Sequence, residues 1–293
     1  MGQLFSYSIE AGIILILLYI AYKITMAGER QFSLNRIVLH CMYAAALTLP
    51  AAFPAIRDIF STRGATASGT ATIDLAMLTA AIPAETHEPV WPGILLRIYV
   101  AGVIFTLAKL AYGIFRIVRI ATEHERHPLA GGYILVLTDR KEFSPFSFMR
   151  YIVISREDYA RSRDEILIHE MTHLRKQHWI DQLLANLLAA FMWYNPVAWL
   201  MIEEMKNVHE YQADNAVINS GADMRKYQYL LIEKAVGKRF PSPANSLNHS
   251  NLKKRVTMMY KSKPSAMRRL AGIAVIPAAA AALLSPTFRQ WPT

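Results

Sequence analysis

Residues 166–176 read ILIHEMTHLRK, and the five residues His169-Glu170-Met171-Thr172-His173 decide the rest. On a helix, residues four apart share a face, so His169 and His173 can aim a ring nitrogen at one metal ion. Glu170 beside them is placed to act on a water molecule held there. Such a pair supplies two of the three protein ligands a catalytic zinc needs, the fourth position being left open. The third is expected from a neighbouring element. Glu203, Glu204, His209 and Glu210 are the candidates, within the stretch 197–221, VAWLMIEEMKNVHEYQADNAVINSG, which reads as a helix closed by Gly221. Glu210 is preferred, because Asp214 follows one turn later and could accept the free N–H of a ligating histidine. Glu203 and Glu204 read as a solvated face, and His178 and His209 as surface or supporting residues.

Outward from the motif, the segment 156–193 reads as helix with a break near Ser162 to Asp164, ended by Tyr194-Asn195-Pro196, since Pro196 disfavours helix at Asn195. The runs 131–139, GGYILVLTD, and 149–155, MRYIVIS, are β-branched and aromatic and predict two short strands joined by a Pro-containing turn. YIVIS, 151–155, is the expected edge for an extended substrate.

The remainder of the chain is apolar. Of its 293 residues, 53% are hydrophobic. Uncharged runs at 37–56 and 270–288, of 20 and 19 residues, are each long enough to cross a hydrocarbon core of ~30 Å. Two further spans are expected at 4–22, with Glu10 near its start, and at 94–115, with Arg97 and Lys109 snorkelling to the interface. No basic residue precedes the first apolar run, so it reads as a retained anchor. Another 21 residues without charge, 182–202, could cross as well, but a single crossing there would separate Glu210 from the two histidines. A helical hairpin turning at Asn195 and Pro196 is expected instead, its tip packed on the spans or dipping into the inner leaflet. His173 and Glu210 can then meet only if the first helix breaks.

Charge sets the sidedness. The net charge is +10, and 24 of the 32 Lys and Arg lie within 116–269, against 16 acidic residues there. This is a positive-inside signature, placing that segment in the cytoplasm, the N-terminus outside and the loop 57–93 outside. LKKR at 252–255, with Lys261, Lys263, Arg268 and Arg269, reads as a juxtamembrane anchor to anionic lipid; direct nucleic-acid binding is not expected. The one cysteine, Cys41, excludes an internal disulfide and a cysteine-based metal site.

ILIHEMTHLRKQHWIDQLL, WYNPVAWL, HEYQADNAV and SPFSFMRYIVIS together resemble the BlaR/MecR-type membrane metallopeptidases, bacterial signal-transducing proteases that sense antibiotics. The resemblance implies an α-helical integral membrane protein of the bacterial cytoplasmic membrane with four transmembrane helices. A cytoplasmic gluzincin-like α+β zinc metalloprotease domain, 116–269, would lie between helices 3 and 4. It implies Zn2+ held by His169, His173 and Glu210, Glu170 as general base and Asp214 as support. The expected division is a membrane region 1–115, the protease domain, the fourth span 270–288 and a short external tail 289–293. The family's external penicillin-binding domain is not present before Thr293, so direct β-lactam sensing is not expected. The implied partner is a cytoplasmic protein substrate such as a transcriptional repressor, beside the lipid bilayer, with a second copy of the chain or a separate sensor protein as further partners. A housekeeping membrane protease and a non-catalytic zinc-binding transducer are the alternative functions.

Overall fold

The structure, a computed structural model, describes residues 2–61, 91–140, 144–236 and 244–262, with 265–267 and 274. The expected fourth span, apart from residue 274, the tail 289–293, Lys263, Arg268 and Arg269, and most of the loop 57–93 lie outside the described residues.

Three long helices come first: α1 (Gly2–Thr25), α2 (Phe32–Ser61) and α3 (Trp91–Glu123). Each is long and apolar enough to cross a membrane, over Tyr7–Thr25, Phe32–Ala51 and Gly93–Glu123. α1 and α2 pack on each other, while α3 leaves Ile98, Ile104, Phe105, Tyr112 and Phe115 exposed. An uncovered apolar helix is what a lipid-facing span requires.

A four-stranded sheet follows, built from β1 (Glu125–Leu129), β2 (Tyr133–Thr138), β3 (Phe146–Phe148) and β4 (Tyr151–Ser155) in the order β1-β2-β4-β3. The two expected strands are β2 and β4, but they run parallel, with Ile134 opposite Tyr151. Parallel neighbours cannot be joined by a tight turn. The connection instead returns and lays β3 antiparallel against the far side of β4. YIVIS is therefore an inner strand, contrary to expectation: both its edges are taken by neighbours, and the free edge on that side belongs to β3. β1 and β2 form a tight hairpin through Gly131 and Gly132, both at positive φ, where glycine carries no steric cost. One sheet face, with Leu135, Ile152 and Ile154, packs on Ile166 and Leu174.

Those two residues belong to α5 (Arg163–Arg175), the helix carrying the histidine pair, preceded by the short α4 (Arg156–Arg161). Ser155 ends β4 and starts α4, its hydroxyl accepting the Asp158 N–H at 3.1 Å, and Ser162 separates α4 from α5, as the sequence predicts. Then come α6 (His178–Phe191), α7 (Pro196–Asn219), α8 (Met224–Val236) and α9 (Ala244–Tyr260). The break needed between His173 and the hairpin tip is at Gln177, whose φ of +55° turns the chain between α5 and α6. Asn195 caps α7, its side chain accepting the Val197 N–H at 3.0 Å with Pro196 behind it, a start that requires no N–H from the proline.

The α6–α7 hairpin packs among the long helices. Leu15, Leu18 and Tyr22 of α1, Leu39 and Met42 of α2, and Met201 and Met205 of α7 form one buried cluster. Its helix contacts run over small residues, among them Ala11, Ala46, Ala185, Ala189 and Ala198, which let backbones approach where lipid offers no hydrophobic drive to association. At the tip, Asn195 donates to Gly12 O at 3.2 Å and Tyr194 to Ser8 O at 2.7 Å, both on α1, while Trp193 donates to Tyr99 O of α3 at 3.2 Å. A Cβ on Gly102 would overlap the Trp193 indole, so glycine there is what lets α3 close on the tip. At the other end of α1, Lys23 pairs with Glu204 of α7.

Candidate metal centre

α5 presents His169 and His173 on one face, and α7, packed across it, presents Glu210. The Nε2 atoms of the two histidines lie 3.2 Å apart, and Glu210 places Oε2 3.4 Å from His169 Nε2 and Oε1 3.8 Å from His173 Nε2. Two nitrogens and a carboxylate oxygen at tetrahedral corners around a zinc ion, with bonds of ~2.0–2.1 Å, would be about 3.3–3.4 Å apart. The donor set and its spacing therefore fit that ion. The other three candidates for the third ligand turn elsewhere: Glu203 to Lys206, Glu204 to Lys23, and His209 to Asp181.

The partners of the second ring nitrogens leave both Nε2 atoms bare. Tyr227 of α8 donates its hydroxyl to Asp214 Oδ1 at 2.8 Å, so its oxygen accepts the Nδ1–H of His169 at 2.9 Å. Asp214 itself is 3.5 Å from that nitrogen, so its expected support of a histidine passes mainly through Tyr227. On the other ligand, His178 Nε2 lies 2.9 Å from Gln212 Oε1, an acceptor, which puts its proton on Nε2 and leaves Nδ1 to accept. His173 Nδ1, at 2.8 Å, is then the donor. Three lone pairs converge on one point, and only a cation or a proton relieves that arrangement.

Arg255 of α9 sits 2.9 Å from Glu210 Oε2 and donates to Asp214 Oδ2 at 2.9 Å. It is drawn inward from the basic run that reads as a lipid anchor; Lys253 and Lys254 stay exposed, so the anchor reading fails for Arg255, whose charge pairs with the buried Asp214 and the partly buried Glu210. Burial alone would push the Glu210 carboxyl up, but Arg255 and the two histidines outweigh it and hold it well below the usual carboxylate range. Burial, then the neighbouring His169, pulls His173 down to about 3. Burial works the same way on His169, but the Glu210 carboxylate overcomes it and raises His169. Glu170, 6% exposed, is raised chiefly by burial, partly opposed by His169 and Ser147. A raised carboxyl beside a metal position suits a group that must take up a proton and release it.

Two cavities, of about 520 and 400 Å³, flank the centre and share Pro145, Glu170, Lys206 and Glu210 in their walls. The larger is walled by α3, with Lys109, Ile114 and Ile117, and by Phe148 and Trp179. The smaller lies against α8 and α9, with Tyr227, Lys234 and Arg255. Together they form a trough past the metal position with β3 along it. Lys109, which reads as a snorkelling residue, lines this trough.

Residues 146–259 match the family described as BlaR1 peptidase M56. Over that segment the chain is similar to the BlaR1-type peptidases. The matched segment contains α5 and α7, hence the whole His169, His173 and Glu210 cluster, and the match suggests a membrane-associated metallopeptidase. No curated protein matches the chain.

Sequence reasoning missed Tyr227 and Arg255, and it left His178 open between a surface and a supporting residue. Tyr227 lies 58 residues from His169 and Arg255 lies 41 from Asp214, separations at which no local pattern signals contact. His178 had a usable signal: it lies one residue beyond a helix break and five beyond His173.

Proposed function

We propose that the protein is a membrane-embedded zinc endopeptidase that hydrolyses a cytoplasmic protein, a regulatory one such as a transcriptional repressor, during transmembrane signalling. His169, His173 and Glu210 hold the ion, Glu170 is the general base, and Asp214 supports His169 through Tyr227. The observation that carries this reading is the convergence of two histidine nitrogens and a carboxylate, with ligand atoms within 4.8 Å of one another, beside a buried glutamate at the meeting of two cavities.

A zinc ion bound there supplies a Lewis acid that polarises a peptide carbonyl and acidifies water. Glu170 takes the proton from the attacking water as its oxygen bonds to the carbonyl carbon, then delivers that proton to the amide nitrogen as the C–N bond breaks. The substrate lies extended along the free edge of β3, pairing with backbone groups at Phe146–Phe148 rather than with β4. Arg255 and Tyr227 keep Glu210 and His169 in their ligating orientation.

The basic surplus of 116–269 supports a cytoplasmic active site. Between Ser8 and Lys23, both in contact with the hairpin, α1 rises roughly 22 Å, so the uncharged hairpin enters well past the inner leaflet as a re-entrant element. The α3 wall brings the bilayer to the edge of the trough.

The test is cleavage of a casein substrate by the purified full chain in lipid nanodiscs. Glu170→Gln retains zinc while the rate falls by ~10²-fold or more. A Glu170→Gln protein cleaving at the wild-type rate refutes the mechanism.

A further inference from the structure

We propose that Arg36, on the second long helix, is a positioning residue for the metal ligand His173, acting through Asp181 and His178. The proposal rests on the reading of His173 as a ligand and adds what holds that ligand in place.

The connection is continuous and buried. Asp181 of α6 has a side chain only 5% exposed, and a buried carboxylate is tolerated only when fully paired. It receives Arg36 Nε at 2.7 Å, Arg36 Nη2 at 3.0 Å, His40 Nε2 at 3.0 Å and His209 Nε2 at 2.7 Å. Arg36 and His40 are one turn apart on α2 and grip the same carboxylate. His209 in turn lies flat on His178, ring centroids 3.9 Å apart and planes 9° from parallel. His178 accepts from His173 Nδ1.

Asp181 and His178 share the first turn of α6, three residues apart on one face. That turn follows the left-handed Gln177, whose side chain makes no capping hydrogen bond. The usual device that fixes a helix start is therefore missing where His178 must be aimed. The Arg36–Asp181 pair does that work, pinning the first turn of α6 to α2 from one side while His209 supports the His178 ring from the other. A displacement of α2 along α6 is felt at His173, because Arg36 holds Asp181 one turn from His178 on the same face.

The experiment uses the full chain in nanodiscs, titrated with Co2+, whose visible bands report the coordination geometry independently of catalysis. Arg36→Met weakens Co2+ binding roughly tenfold, the lower end of what supporting residues contribute, and alters the bands. Arg36→Lys, which keeps the cation, recovers part of the loss and stands in should the methionine variant fail to fold. In a His178→Phe background Arg36→Met adds no further loss, because the path is already cut. Lys23→Met, which breaks a separate ion pair between a long helix and the hairpin, leaves affinity and bands at wild type. Unchanged binding in Arg36→Met, multiplying losses in the double variant, or an equal effect of Lys23→Met each overturns the proposal. A wild-type chain that takes up no Co2+, or takes it up without needing His169 and His173, overturns the metal-site reading and this proposal with it.

Discussion

His169 and His173 sit one turn apart on α5 and face the same point, yet they are held from different parts of the molecule. His169 is held by Tyr227 of α8 and Asp214 of α7, with Arg255 of α9 closing the group, all within or beside the matched peptidase segment. His173 is held by His178 at the start of α6, and the chain of contacts behind it ends at Arg36 and His40 of an apolar helix outside that segment. One histidine is thus held from within the matched segment, the other from a helix of membrane-crossing length. A rigid peptidase needs only the first arrangement; under the proposed function, the second gives the long helices a hold on the metal site.

The largest expected effect treats the two ligands alike. His169→Ala and His173→Ala each lose zinc on dialysis, seen by metal analysis, and casein cleavage falls at least to the level of Glu170→Gln. The next separates them. Tyr227→Phe and His178→Phe each weaken metal binding by about 10–100-fold, but only the Tyr227→Phe loss multiplies with that of Arg36→Met, as competition with a chelating dye can measure. Equal coupling of both to Arg36→Met would erase the distinction between the two sides.

Protons give a third contrast. In the metal-free protein the Glu210 carboxylate raises His169 while burial lowers His173 to about 3, so of the two histidines it is the protonation of His169 that competes with the ion. Zinc affinity therefore falls as the pH drops through the raised value of His169, and the protons released on binding come from His169 rather than His173. Calorimetry in two buffers of different ionisation enthalpy counts them. The smallest effect is on the packing of α3. Gly102→Ala drives a methyl into the Trp193 indole and costs about 1–3 kcal/mol in thermal unfolding, with zinc affinity unchanged, because this contact lies outside the Arg36 path.

The histidine pair was legible because it obeys a helical period, and Asn195-Pro196 because capping and proline chemistry are local. Glu210 stood out from three rivals only through Asp214 one turn on and the family resemblance, since a carboxylate's partner is set by packing: Glu204 faces Lys23 of a helix some 180 residues earlier. Tyr227 and the inward turn of Arg255 were not legible, being tertiary contacts, and a basic residue in LKKR carries no mark of burial. The parallel pairing of β2 and β4 was hidden by β3, a strand of three residues, too short for its Phe-Ser-Phe alternation to be read as a strand. Gln177 takes a left-handed backbone with a side chain that does not advertise it.

X-ray absorption at the zinc edge, on the purified full chain, tests the central claim most directly. The account predicts one zinc per chain with nitrogen and oxygen donors at ~2.0–2.2 Å, outer scattering from two imidazoles, and loss of one imidazole in His173→Ala. A chain that holds no zinc, or a zinc shell unchanged by loss of His173, would contradict it.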